Sequence, residues 1–356
     1  MKNLKCSIFF ENNYGIFNAY DNVIDINIES SFDEISQKAI ILLNYDGYLK
    51  NRDDFFITNT LITKGSKVEI RLAYENKNQD NKITFSGYVS KVSVDDVLKI
   101  TCEDAMYLVK RNVIKTYSSI GATLVNLVKE ITPDYFDDSS VFVKKNVPIL
   151  NVLDTKNLGI FRAADSSARN IFEILRSNYE IKTWTTIDEY ENQIINVNQE
   201  IRDFSKPIYD MYFAGPQCNI IRNNLHYKNF YDIDSSIKGS LLNTLSGDSI
   251  IKYAKYDVGK EPVLVDDFDG NSIISFIKYD MDEDEFDTLL KNMLINEVHE
   301  GFQGSITTFG DELIVLGDRI RLHNSTFKKQ NGEFFVKSVN TYFGLSGYRQ
   351  TIELFS

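Results

Sequence analysis

One pattern occurs near both ends of this chain, and it dictates strands. Lys64-Gly65-Ser66-Lys67-Val68-Glu69-Ile70-Arg71-Leu72 and Leu316-Gly317-Asp318-Arg319-Ile320-Arg321-Leu322 share the order glycine, small or acidic, basic, β-branched, charged, aliphatic. Apolar and polar residues alternate after each glycine, the period of a half-buried strand, and the glycine supplies the preceding turn. Each copy is followed within twenty residues by a second strand, Phe85 to Val92 and Glu333 to Val339, and then by a last one, Leu98 to Cys102 and Tyr348 to Leu354. Three elements repeated in one order predict a duplicated β domain. Val23 to Glu29 alternates in the same way and adds a strand.

Between the copies the period changes to that of helices. Ile120, Leu124, Leu127, Val128 and Ile131 recur at three and four, predicting a helix that stops before Pro133. A second helix is expected from Asp165 through Leu175, with Asp165 or Ser166 as N-cap. Ile181–Thr185 and Gln193–Val197 read as a hairpin, and Gly215-Pro216 as a closing turn. Residues 33–49 bunch Ile35, Ala39, Ile40, Leu42 and Leu43, which predicts a short helix or irregular segment. A last helix is expected at about 285–299, behind the acidic run Asp282 to Glu285. The expected fold class is therefore α+β and β-dominated, with two similar β-barrel, tube-like domains flanking an α+β insert. The expected boundaries are 1–112 for the first barrel, 113–215 for the middle domain and 216–356 for the second barrel with one helix.

Charge and chemistry narrow the function. The chain carries 51 acidic and 39 basic side chains over 356 residues, a poor footprint for wrapping DNA by counterion release. The imbalance is local: positions 257–300 hold 13 acidic and three basic residues. Cys6, Cys102 and Cys218 are too few and too far apart for a disulfide framework or a zinc site, so reduced thiols are expected. His226, His299 and His323 lack metal-type spacing. Asp280-x-Asp282-x-Asp284 starts like a calcium loop but has Glu285 and Lys291 where glycine and glutamate belong. Asp266-Asp267-Phe268-Asp269-Gly270-Asn271 reads as a solvated turn. No nucleophile-elbow, phosphate-loop or zinc-protease motif is present, and 51 carboxylates give no means of selecting a glycosidase pair. Trp184, Tyr179 and Tyr190 read as core of the insert. No residue is assigned a catalytic, cofactor-binding or metal role, and no enzyme is expected. The start, Met1 to Cys6, lacks the apolar stretch of a signal peptide, and no run is long enough to span a bilayer. A soluble chain made in the cytoplasm is expected.

The segments 64–72, 85–94 and 98–111, with 304–322 and 334–356, resemble the baseplate hub proteins of contractile-tailed phages and related injection systems. These are the late control protein D family and the N-terminal hub part of VgrG proteins. The resemblance implies a homotrimeric ring whose six similar barrels meet a hexameric tail tube on one side and a trimeric central spike on the other. It further implies tape measure and baseplate wedge proteins as neighbours, no membrane partner, and DNA only as cargo in the lumen. The acidic 257–300 segment reads either as a solvated helix face and loop or, in three copies, as the lining of that exit channel. VgrG chains continue into a spike, whereas this sequence ends at Ser356 just after the second barrel, so a separate spike polypeptide is expected. The other reading is a β-sandwich binding module, or a domain of a surface carbohydrate-active enzyme.

Overall fold

The computed structural model describes residues 4–11, 17–20, 23–44, 62–74, 82–94, 96–132, 148–152, 157–199, 202–228, 236–243, 246–256, 262–267, 274–279, 281–298 and 301–355. Strands dominate, and thirteen of them form one sheet. Its first half contains β1 (Leu4–Glu11), β2 (Phe17–Tyr20), β3 (Val23–Ser31), β4 (Lys38–Asn44), β5 (Lys67–Tyr74), β6 (Phe85–Val94) and β7 (Val97–Glu103). They pair antiparallel in the order β3-β4-β7-β6-β5-β1-β2. Alternation decides the inward face: Val68, Ile70 and Leu72 of β5 are buried, as are Ala39, Ile41 and Leu43 of β4. Of the 33–49 segment, 45–49 lie outside the described residues, and 33–44 hold no helix. Residues 38–44 form an inner strand between β3 and β7, and because its outward residues Ile40 and Leu42 are apolar as well and half-buried, the run shows no alternation for periodicity to assign.

The middle is α+β. It runs through α1 (Met106–Val109), β8 (Val113–Thr123), α2 (Leu124–Ile131), β9 (Ile149–Asn151), β10 (Asn157–Ser167), α3 (Ala168–Tyr179), β11 (Lys182–Ile187) and β12 (Gln193–Asn198). β8 and β10 make a long two-stranded ribbon, while β11-β12-β9 form a small sheet over a core that includes Leu127, Phe161, Phe172 and Leu175. Both helices start later than the periodicity suggests. Ile120 lies in β8 with 85% of its surface exposed, and Thr123 caps α2 by accepting from Asn126 N–H. Ser167, not Asp165 or Ser166, caps α3. The hairpin is present, with Thr183 opposite Val197.

The remaining chain holds β13 (Ile208–Tyr212), β14 (Ile220–Lys228), β15 (Ser236–Leu242), β16 (Ser249–Lys255), β17 (Val263–Val265), β18 (Ile274–Tyr279), α4 (Glu283–Val298), β19 (Gly301–Phe309), β20 (Arg319–His323), β21 (Gly332–Gly344) and β22 (Gly347–Phe355). It has two cores. One joins β13, β14 and β19 to β22 through Met211, Ile306, Ile320, Val336 and Ile352. The other belongs to a separate sheet, β17-β16-β15-β18, against which α4 lays Phe286, Leu290 and Leu294. Gly239 lets α4 approach, because a Cβ there would stand 2.6 Å from the Phe286 ring.

Candidate assembly interface

The two repeats agree in backbone detail. Gly65 N–H donates to Val89 O at 2.7 Å and Val89 N–H returns to Ser66 O at 2.8 Å; Gly317 N–H donates to Val336 O at 3.0 Å and Val336 N–H to Asp318 O at 2.9 Å. Both glycines have left-handed φ, +94° and +75°, which other residues adopt only at a cost. β6 slips register against β7 between Val89 and Lys91, and β21 slips against β22 between Val336 and Ser338. β3 slips against β4 between Val23 and Asp25, and β14 against β19 between Ile220 and Arg222. Bulges are specific features of a strand pair, and here two of them fall at matching places in each copy. The four-stranded sheet and α4 occupy the β14–β19 connection, where the first copy has only residues 32–37.

The copies join through β3 and β21. The first half of β21 pairs with β20, and its second half pairs with β3, Ser338 opposite Ser31 through Phe343 opposite Ile26. Phe343 and Tyr348 of the second copy enter the core of the first, each contributing about 2 kcal/mol by the area it removes from water. Tyr74 donates its hydroxyl to Tyr348 O at 2.9 Å across the same seam.

The middle region is fixed to the first copy by polar contacts. Asp104 is fully buried; its Oδ2 accepts from Gln37 N–H at 3.1 Å and from the Thr185 hydroxyl at 2.8 Å, and its Oδ1 from Met106 N–H at 3.1 Å. Burial raises its carboxyl to about 6, against the pull of those three donors. Thr183 donates to Ile35 O at 3.1 Å, Gln193 to Ser86, and Trp184 meets Phe32 edge-on at 5.2 Å. Asp33 draws all parts together: Lys337 of the second copy lies at 3.0 Å and Lys182 of the insert at 3.6 Å. Burial pushes the Asp33 carboxyl up, but the two lysines outweigh it and hold it low. Lys278 of β18 is buried and donates to the carbonyls of Ser177 (3.1 Å) and Asn178 at the end of α3. A cleft of about 660 Å³ remains where the parts meet, edged by Phe85, Ile187, Lys206 and Asp318. Asp318 accepts from Lys206 at 3.4 Å and from Val315 N–H at 2.9 Å; burial nonetheless raises its carboxyl.

The remaining candidates do not converge. His323 pairs with Asp210 at 2.7 Å and stacks on Tyr212, and His226 is exposed on β14. His299, Asp280 and 268–271 lie outside the described residues, and Asp282 caps α4 through Asp284 N–H. Among the described residues no three His, Cys, Asp or Glu gather as a metal site. Cys6, Cys102 and Cys218 are free thiols. Tyr190 is 77% exposed and so is not core of the insert. Among the described residues no helix is long and apolar enough to cross a membrane. Sequence reasoning missed Asp104 and Lys278. Lys278 carried a signal, a single charge within Ile274–Tyr279, whereas Asp104 follows Glu103 directly and carried none.

No family model and no curated protein matches the sequence. Solved structures do match. A tail protein of Neisseria meningitidis superposes with a TM-score of 0.65 over 98% of this chain and 96% of that one, at 12% identity. The 43 kDa tail protein of prophage MuSo2 from Shewanella oneidensis gives 0.58 over 99% and 98%, at 10% identity. The fold is that of phage tail proteins. A component of the E. coli type VI secretion system, itself structurally similar to bacteriophage tail proteins, shares the tail-protein fold at 0.52 over 99% of this chain and 77% of that one, with 10% identity.

Proposed function

We propose that this chain is the structural hub of the baseplate in a contractile phage tail or related injection particle. The duplicated β unit with its matched bulges carries the reading, supported by the whole-chain likeness to tail proteins. Three chains with two equivalent units each offer six similar faces to a hexameric tail tube and threefold symmetry to a central spike. The tube domains are then 1–112 and 216–356 with the middle domain at 113–215, whose last strand, β13, pairs into the sheet of the second tube domain. Tape measure and wedge proteins are the further neighbours, assembly takes place in the bacterial cytoplasm, and the finished particle carries the hub at the tail end. The role is mechanical: holding the spike and enclosing the lumen need no catalytic residue. In the same reading three copies of the acidic 257–300 segment face the exit and repel passing DNA; a ring with Glu283–Glu285 on its outer rim overturns that part. Light scattering tests the proposal. A trimer, alone or with purified spike protein, is expected; a monomer at every concentration with and without spike refutes it.

A further inference from the structure

The seam inside one chain implies the seam between chains. β3 has partners on both edges, β4 and β21. Its counterpart in the second copy is β14: the matched bulges set Asp25 against Arg222, and so Ile28 against Leu225, Glu29 against His226 and Ser30 against Tyr227. Yet β14 has one partner among the described residues, β19. β21 likewise has a counterpart in β6, with Val336 matching Val89 and Ser338 matching Lys91. β6 gives Phe85–Tyr88 to β5 just as β21 gives Gly332–Phe335 to β20. Beyond that point β21 takes β3 on the same edge, whereas β6 from Lys91 onward takes no strand there among the described residues. Each copy thus has half of a junction that the described residues make only once. The exposure agrees: Ile26 and Ile28 are buried in β3, while the matching Asn223 is exposed and Leu225 half-exposed on β14.

We propose that β14 of one copy adds antiparallel to the edge of β6 beyond Val89 in the next copy, with Tyr227 opposite Val92 and His226 opposite Ser93. This deepens the hub reading and rests on it, since the head-to-tail contact closes into a ring only if the step between units recurs six times in three chains. The register is the internal one carried over: Ser30 opposite Val339 becomes Tyr227 opposite Val92, and Glu29 opposite Asn340 becomes His226 opposite Ser93. An exposed strand edge is a ready template for such pairing.

Cysteine cross-linking in the full chain tests it. In a Cys218→Ser background, two double variants are made, His226→Cys with Ser93→Cys and Tyr227→Cys with Val92→Cys, and oxidised with diamide. Neighbouring antiparallel pairs alternate between Cα separations of about 5.5 and 4.5 Å, so at least one pair lies within disulfide reach. The expected result is a ladder ending at three chains on non-reducing gels. Mixing the two single variants of a pair gives two-chain bands, and His226→Cys with Lys91→Cys cross-links at least tenfold less. A trimer by light scattering without cross-links in either pair, or with equal cross-linking in the offset variant, overturns this edge assignment and leaves the hub standing. A monomer that never cross-links overturns both.

Discussion

Replacing Asp104 by asparagine tests whether the joint between the first β unit and the insert rests on a buried carboxylate. The wild-type carboxyl moves from 3.8 to about 6 on folding. Because the folded value is the higher one, the fold is favoured when Asp104 is protonated. That stabilisation, about 3 kcal/mol, is complete below pH 4 and is lost as the pH rises through 6. Asparagine has one carbonyl oxygen for a site with three donors. With that oxygen toward Gln37 N–H and the Thr185 hydroxyl, its amide faces Met106 N–H, and the lost bond costs about 1–3 kcal/mol. At pH 7.5 relief of the buried charge offsets that loss, so the two proteins are nearly equally stable. At pH 4.5 the variant is weaker by about 1–3 kcal/mol. Trp184 is the single tryptophan and packs on Phe32 within this joint, so urea unfolding followed by its fluorescence reads the right region. Equal dependence on pH between 4 and 6.5 in both proteins refutes the reasoning.

Other outcomes follow from the same contacts. Lys278→Met leaves the Ser177 and Asn178 carbonyls without their buried donor, at a cost of about 1–3 kcal/mol; hydrogen exchange rises in the last turn of α3 and in β18, and unchanged protection there counts against the latch. Gly65→Ala and Gly317→Ala each force a side chain into left-handed backbone and lose about 1–2 kcal/mol; denaturant melts showing a loss at only one site would break the equivalence of the two turns. Gly87→Ala sets a Cβ 2.2 Å from Glu103 O, so β6 and β7 separate and circular dichroism reports lost strand content; a native spectrum refutes this.

The repeat was legible because its two turns need glycine and its strands keep one face apolar, so alternation reports them directly. β4 was not, since Ile40 and Leu42 on its outer face are as apolar as Ala39, Ile41 and Leu43 on its inner one, and such a run looks the same in a buried helix. Ile120 fell at helical spacing from Leu124 by coincidence while sitting exposed on β8. Asp165 and Ser166 are both good caps by composition, and only the path of β10 decides for Ser167. The four-stranded sheet read as a continuation of the second barrel, because nothing local says which core β15 and β16 serve. Asp104 and Lys278 act across contacts more than eighty residues apart in sequence, which no local pattern contains. The open edges of β14 and β6 emerge only when the bulges of both copies are laid over one another.

Lys228 and Gly301 are paired neighbours in β14 and β19, so the 72 residues between them leave and re-enter the barrel through a neck about 5 Å wide. Apart from the Lys278 contact to α3, a chain that departs and returns at one point places little demand on what hangs there. The first unit closes the same neck with six residues. This position therefore works as a socket: the appended module can shrink or grow while β14 and β19 keep their register.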